Sequence, residues 1–297
     1  MDIKIKSFTG IIFICCLIIS IVPFISAAAA DNSESAKLSA STADEFLIEM
    51  THINAAREKR EEYLYRRASV VGGEITDGTI LSKIRWGEHQ KGERLVLDFK
   101  EREDPGSFSL TPALLAGSFN VKYDYYPFRF VVRLNGVREI RAELKTDFNS
   151  KFIKDIHRLP CLDDAAFKLG ISLEKPVEFE IFELIDPARI VIDLRSLSEE
   201  EAFLQALPPV YSLRTGPEYS QEVVGHVEKL DYIRESLGGA GFPEANILKT
   251  DRGPLIVEAA RYLCKKEAKE QLDHLSRVMP GISFFIEPRG ANELPSI

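Results

Sequence analysis

Few residues in this chain have the types and spacing that chemistry requires. The five histidines, at positions 52, 89, 157, 226 and 274, share no ligand spacing with one another or with cysteine, and no HExxH or CxxC run occurs, so neither a metal nor another cofactor is expected. His157 and Cys161 stand four apart, but Pro160 intervenes and no acidic residue is implied to orient the imidazole, which argues against a thiolate–imidazole nucleophile. GGAGF, 238–242, falls between a predicted helix and a predicted strand, the reverse of the strand–glycine–helix order that cradles a dinucleotide. Asp163-Asp164 reads as a turn and Glu199-Glu200-Glu201 as a solvated linker. These absences point to binding rather than catalysis. One set remains: along VYSLR (210–214) and LIVEA (255–259), a period of two sends Leu213, Val257 and Ala259 to one face and Ser212, Arg214, Ile256 and Glu258 to the other. If helices cover the first face, the second presents polar partners beside a flat apolar surface, which suits a sugar. A merely solvated sheet face is the alternative.

The elements that position this set are legible from local patterning. From Val210 the chain reads strand, helix (about Gln221 to Leu237), Gly-rich turn, strand (EANILK), turn, strand (LIVEAARY), helix (Lys265 to Val278) and strand (ISFFIE). Gly238, Gly239 and Gly241 stop the first helix and Pro280-Gly281 the second. The order βαββαβ predicts a ferredoxin-like α+β module with helices on one face of its sheet.

Upstream, EKPVEFEIFELIDPARIVIDL (174–194) alternates through Val177, Phe179 and Ile181 with Glu178 and Glu180 opposite, turns at Asp186-Pro187, and resumes as a run of branched aliphatics. VKYDYYPFRFVVRL (121–134) has the same plan, and its Pro127 precedes Pro187 by about 60 residues, the spacing of two halves of a pseudo-symmetric sandwich. Each hairpin follows an upstream strand pair, ILSKIRWGEHQKGERLVLDF (80–99) in the first half and FIKDIHRLPCLDDAAFKLGISL (152–173) in the second. An all-β sandwich with an internal pseudo-repeat is therefore expected over 73–196, with Val131, Phe179, Ile181, Val191 and Leu194 mainly buried. A linker, 197–208, separates it from the α+β module at 209–288, and 289–297 form a tail.

The ends bound the setting. Lys4 and Lys6, an apolar run from Ile11 to Ile25 and then SAAAA read as a secretory signal over 1–30. The alternative is an uncleaved anchor, although the run is shorter than the ~20 residues a spanning helix prefers. Neither Cys15 nor Cys16 follows the small residue that a lipoprotein signal needs. Removing the signal takes the formal charge from −8 to about −9, so no electrostatic pull toward nucleic acid or anionic lipid is expected. Only Cys161 and Cys264 then remain, in different predicted domains, and a disulfide between them is not favoured. Residues 31–72 read as a polar leader and then a helix over Thr42 to Ala68, supported by the pairs Arg57–Glu61 and Glu62–Arg66. That helix reads as a surface or stalk helix, with partner binding as the alternative.

Two stretches resemble known families. ERLVLDF followed by YYPFRFVVRL, and above all Pro176 to Leu194, resemble the AMIN domain of periplasmic amidases and outer-membrane secretins, whose signature runs P-V-x-[FY]-x-[VI]-F-x-L and then [ND]-P-x-R-[IL]-V-I-D-[FL]. The insert DPGSFSLTPALLAGS (104–118) departs from that pattern. YSLRTGPEYS and LIVEAARYLCKKEAKEQL resemble the SPOR domain, with Arg214 at the polar strand position, Tyr262 at the aromatic position and Glu267-Ala268 at the helix opening. Glu218 and Ala260 depart from it. These resemblances imply a periplasmic cell-envelope protein that binds peptidoglycan glycan strands without catalysis and localises to the division site. Its glycan contacts would be Ser212, Arg214, Ile256, Glu258 and Tyr262. The alternative partners are proteins, a cell-wall amidase or other hydrolase or a secretin channel. The membrane is involved only through the N-terminal segment if it stays uncleaved.

Overall fold

The computed structural model describes residues 51–55, 63–64, 68–104, 106–145, 147–219 and 227–296. The expected signal peptide and residues 31–50 lie outside these. The chain from Ala40 to Ile297 makes one compact unit, mostly β, with its described strands in three sheets.

Each proline hairpin forms where alternation and turn chemistry predict it. β6 (Phe119–Tyr125) and β7 (Phe128–Asn135) pair around a cis Tyr126-Pro127 bond. β11 (Val177–Leu184) and β12 (Arg189–Ser196) pair around a cis Asp186-Pro187 bond. The upstream pairs are β3 (Thr79–His89) with β4 (Gly92–Arg102), and β9 (Ile153–Leu159) with β10 (Ala166–Leu173). The halves are interleaved: β6-β7 continues into β10-β9 of the second half, whereas β11-β12 continues into β4-β3 of the first. The first sheet is extended at its β6 edge by β2 (Ala68–Gly72) and β1 (Thr51–Asn54), and the second is extended at β3 by β8 (Val137–Ile140). The sheets face each other over one core, in which Phe179 stacks edge-on against Tyr123 and Phe130 of the opposite sheet, with ring centroids 4.9 and 5.0 Å apart.

Several expectations need correction here. Most of the predicted helix over 42–68 lies outside the described residues, its pairs Arg57–Glu61 and Glu62–Arg66 included; of the described ones, Thr51–Asn54 form the strand β1, parallel to β2, instead of helix, and Leu64 exchanges two 2.7 Å backbone hydrogen bonds with Phe179. Ile53 and Leu64, both half-buried, pack on the core. Val131 is only half-buried, because it shares parity with Arg129 and Arg133 on the outer face of its sheet. Val191 is buried away from the main core, against Val96 and Phe182. Phe179, Ile181 and Leu194 lie in the core as expected. Glu178, Glu180 and Glu183 are buried rather than solvated, so β11 is covered on both faces. Residues 197–208 are no free linker: α1 (Glu200–Ala206) drives Phe203 edge-on against Tyr125, with centroids 5.5 Å apart, and Leu197 and Leu207 join the same core. The 104–118 insert adds β5 (Leu110–Pro112) beside β4.

The C-terminal strands are β13 (Val210–Thr215), β14 (Asn246–Lys249), β15 (Leu255–Tyr262) and β16 (Phe284–Arg289), with α2 (Val227–Gly239) and α3 (Lys265–Val278) between them. The sheet order β14-β15-β13-β16, antiparallel throughout, is the split βαβ arrangement. Leu213, Val257 and Ala259 pack beneath Leu230, Ile233, Leu237 and Leu275 of the helices. Of the predicted helix start, residues 221–226 lie outside the described residues.

Candidate functional site

The second face of this sheet is closed, not open. Ser212, Arg214, Ile256 and Glu258, expected to be exposed, are all at most 2% accessible. The outer face of the β6-β7-β10-β9 sheet and the C-terminal tail cover them. The sequence could not reveal this, because nothing local to β13 or β15 records what lies across it. Tyr262 is separated from the other four. The register of β15 against β13 shifts between Leu213 and Arg214, so a bulge near Ala259–Ala260 turns Arg261 toward the sandwich and leaves Tyr262 half-buried against the helix-side core. Burial there pushes the Tyr262 phenol up to about 12. The five candidates therefore do not form one surface.

What they form instead is a buried ionic seam. Glu258 accepts from Ser212 Oγ at 2.5 Å, from Arg261 Nε at 2.6 Å and from Arg289 Nη2. Arg261 also donates two bonds, of 2.7 and 2.9 Å, to Asp124 of β6. Burial opposes the Arg261 charge, but Asp124 and Glu258 outweigh it and hold the guanidinium above its ordinary range. Arg129 donates to the Ile247 carbonyl at 2.6 Å and is lowered by burial to about 10, only partly offset by Asp124. Arg214 is enclosed by Glu287 and the Ser296 carbonyl, both 2.5 Å away, with Phe285 beneath its guanidinium at 4.0 Å. A buried ion pair stabilises only when its hydrogen bonds are filled, and these carboxylates are well supplied with donors.

Two further carboxylates tie the layers together. Asp231 of α2 accepts from the Leu162 N–H at 2.8 Å, Lys168 at 3.2 Å and Arg234 at 2.5 Å. Burial would raise its pKa, but these partners lower it overall. Asp155 of β9 meets His157 Nδ1 at 2.6 Å and Ser172 Oγ at 3.2 Å through one oxygen, and Lys249 of β14 at 3.1 Å through the other. Its pKa is likewise lowered against the effect of burial. His157 is thus engaged by Asp155, and its ring lies over Gly170, where an added Cβ would come within 2.4 Å of Nε2.

Beside Asp155 a cleft of about 240 Å³ opens between the two modules. Lys154 and Ser172 contribute to it from the sandwich, Lys249 to Gly253 from the β14–β15 turn, and Asn292 and Leu294 from the tail, over a floor of Phe128 and Leu173. Asn292, at φ 63°, is held by the Phe128 N–H at 3.1 Å and the Glu174 carbonyl at 2.8 Å. Sequence reasoning missed this cleft because its walls lie far apart along the chain. The available signal was charge at outward positions of otherwise apolar strands, Asp124, Arg129 and Asp155 among them.

Among the described residues no cluster of His, Cys, Asp and Glu could hold a metal ion, both cysteines are free thiols, and no helix is long and apolar enough to cross a membrane. A scan against protein-family models and a search of curated proteins both find no match to this chain.

Proposed function

We propose that this chain is a non-catalytic cell-envelope protein, exported through its N-terminal segment, that binds peptidoglycan with a β-sandwich of AMIN type fused to a SPOR-like module. Support comes from the Pro176–Leu194 motif, from the split βαβ strand order and from the interleaved hairpins. The observation that carries the reading is the cleft where both modules and the tail meet, since small-molecule sites concentrate at such junctions. The ligand surface therefore moves from the buried face of β13 and β15 to the junction. Pull-down of the mature chain with purified sacculi tests it: retention supports the reading, and recovery of all the protein in the supernatant overturns it.

A second reading, a scaffold for a cell-wall hydrolase or secretin, is favoured by one end of the sandwich. There Ile75, Phe108, Leu114 and Ile185 are exposed at 99, 89, 57 and 45%, and Leu114 and Ile185 are brought together by the bond from the Asp186 N–H to the Leu114 carbonyl at 3.0 Å.

A further inference from the structure

We propose that the junction cleft receives a carboxylate-bearing peptide end, so that the protein grips peptidoglycan by its stem peptides rather than by bare sugar. This rests on the peptidoglycan reading above and names the part of the polymer recognised.

Three observations carry it. The first is size. At about 240 Å³ the cleft is smaller than the ~300–1,000 Å³ that enclose a drug-sized ligand, which suits one end group and not a run of sugar rings.

The second is the kind of polar group left over. Asp155 already has three partners on its two oxygens. Asn292 uses its oxygen on Phe128 and its nitrogen on Glu174, and Thr250 Oγ1 is bonded to the Pro254 carbonyl at 2.8 Å. Sugar hydroxyls need donors and acceptors together, and the hydroxyl protons of Ser172 and Thr250 are already given to Asp155 and to the Pro254 carbonyl, so the donors left in the cleft are mainly cationic. Among the described residues, Lys154, Arg252 and Asp251 line the cleft with no side-chain partner, and Lys249 keeps two of its three donors beyond Asp155. Two unpaired cations against one unpaired carboxylate leave an excess of one positive charge, which matches a single carboxylate, and an arginine at the rim can take it in bidentate fashion.

The third is the floor. Phe128 and Leu173, with Leu294 at the side, are apolar and accommodate the small aliphatic side chain that accompanies a terminal carboxylate.

The experiment compares the free stem peptide released from sacculi by an amidase with the same peptide carrying a C-terminal amide, by isothermal titration with the mature chain and with K154Q/R252Q. Both substituted residues are exposed and unpartnered among the described residues, so the variant keeps its fold, which an unchanged melting temperature verifies. The expected results are binding of the acid at least about tenfold tighter than the amide, about a tenfold or greater loss in K154Q/R252Q, steep weakening by salt, and reduced pull-down by sacculi stripped of stem peptides. Equal affinity for acid and amide, or full binding by K154Q/R252Q, overturns the inference. Wild-type protein that holds stripped sacculi as well as intact ones also overturns it, while leaving peptidoglycan binding intact. Protein that ignores sacculi but binds the acid peptide through these residues sinks the peptidoglycan reading and keeps the carboxylate site.

Discussion

Arg261 of β15 holds both oxygens of Asp124 of β6, a residue 137 positions earlier in the chain. This pair, with the side chains 8 and 1% accessible, joins what the sequence presents as separate domains. Asp124→Ala leaves a buried guanidinium without its main counter-charge and should cost about 3–5 kcal/mol, whereas the double change Asp124→Leu with Arg261→Met should recover only part of that loss, because Arg129 still loses Asp124 and Glu258 still loses Arg261. Urea denaturation measures both, and a double variant as unstable as the single one would show that the apolar pair cannot replace the ionic one.

Phe179→Ala should destabilise by about 3–5 kcal/mol, because Phe179 is 1% accessible and stacks on Tyr123 and Phe130 across the sandwich. A loss below about 1 kcal/mol would mean that the opposite sheet collapses into the gap.

The contrast between these two sites shows where local reading succeeds. The Phe179 face was legible because alternation along β11 and the Asp186-Pro187 turn are properties of neighbouring residues. LIVEAARY was likewise legible as a strand, with bounds matching β15. Arg261 was not, because the bulge at Ala259–Ala260 breaks the period of two without a glycine or proline to mark it. Burial of Ser212 and Glu258 depends on Asp124 and Arg289, which only the fold brings near. Of the predicted Thr42–Ala68 helix, the described departure is the strand β1, whose Ile53 packs on the sandwich core, a partner that the local pattern does not record.

Acid should loosen the junction. Asp155 and Asp231 have pKa values lowered in the folded chain, so the unfolded chain binds protons first as pH falls. Their stabilisation is fully present above the unfolded value of ~3.9 and is lost as pH drops through the lower folded values. Urea midpoints should stay level from about pH 7 to 5 and fall below about pH 4, with Asp155→Asn and Asp231→Asn each flattening that fall. Midpoints that fall as steeply in both variants as in wild type would assign the acid loss to other carboxylates.

Gly136 has φ 71°, and a Cβ added there would lie 1.9 Å from the Thr76 carbonyl oxygen. Gly136→Ala should therefore destabilise the fold, as read by urea denaturation, by more than the ~1–2 kcal/mol that a positive φ alone costs. Gly78→Ala, also at positive φ (89°) but with nothing nearby, should show only the smaller loss.

Phe108→Ser should leave stability within about 0.5 kcal/mol, since the ring is 89% exposed. Under the scaffold reading, binding of a purified hydrolase partner measured by surface plasmon resonance should weaken at least about tenfold with no change in melting temperature. Unaltered binding would exclude this end of the sandwich from the interface.

The exchange of hairpins between the two halves also governs when the protein can fold. β4 finds its neighbour in β12, nearly a hundred residues later, with Val96 opposite Val191, and β7 must wait for β10. Neither half can close its sheets from its own strands, so a chain still being synthesised holds unpaired edges until Ser196 has emerged. Such long-range pairing makes folding slow and late. It also makes the two halves mutually templating, so that fragments cut between β8 and β9, within 141–152, should each fail to form the sandwich alone and should form it only when mixed.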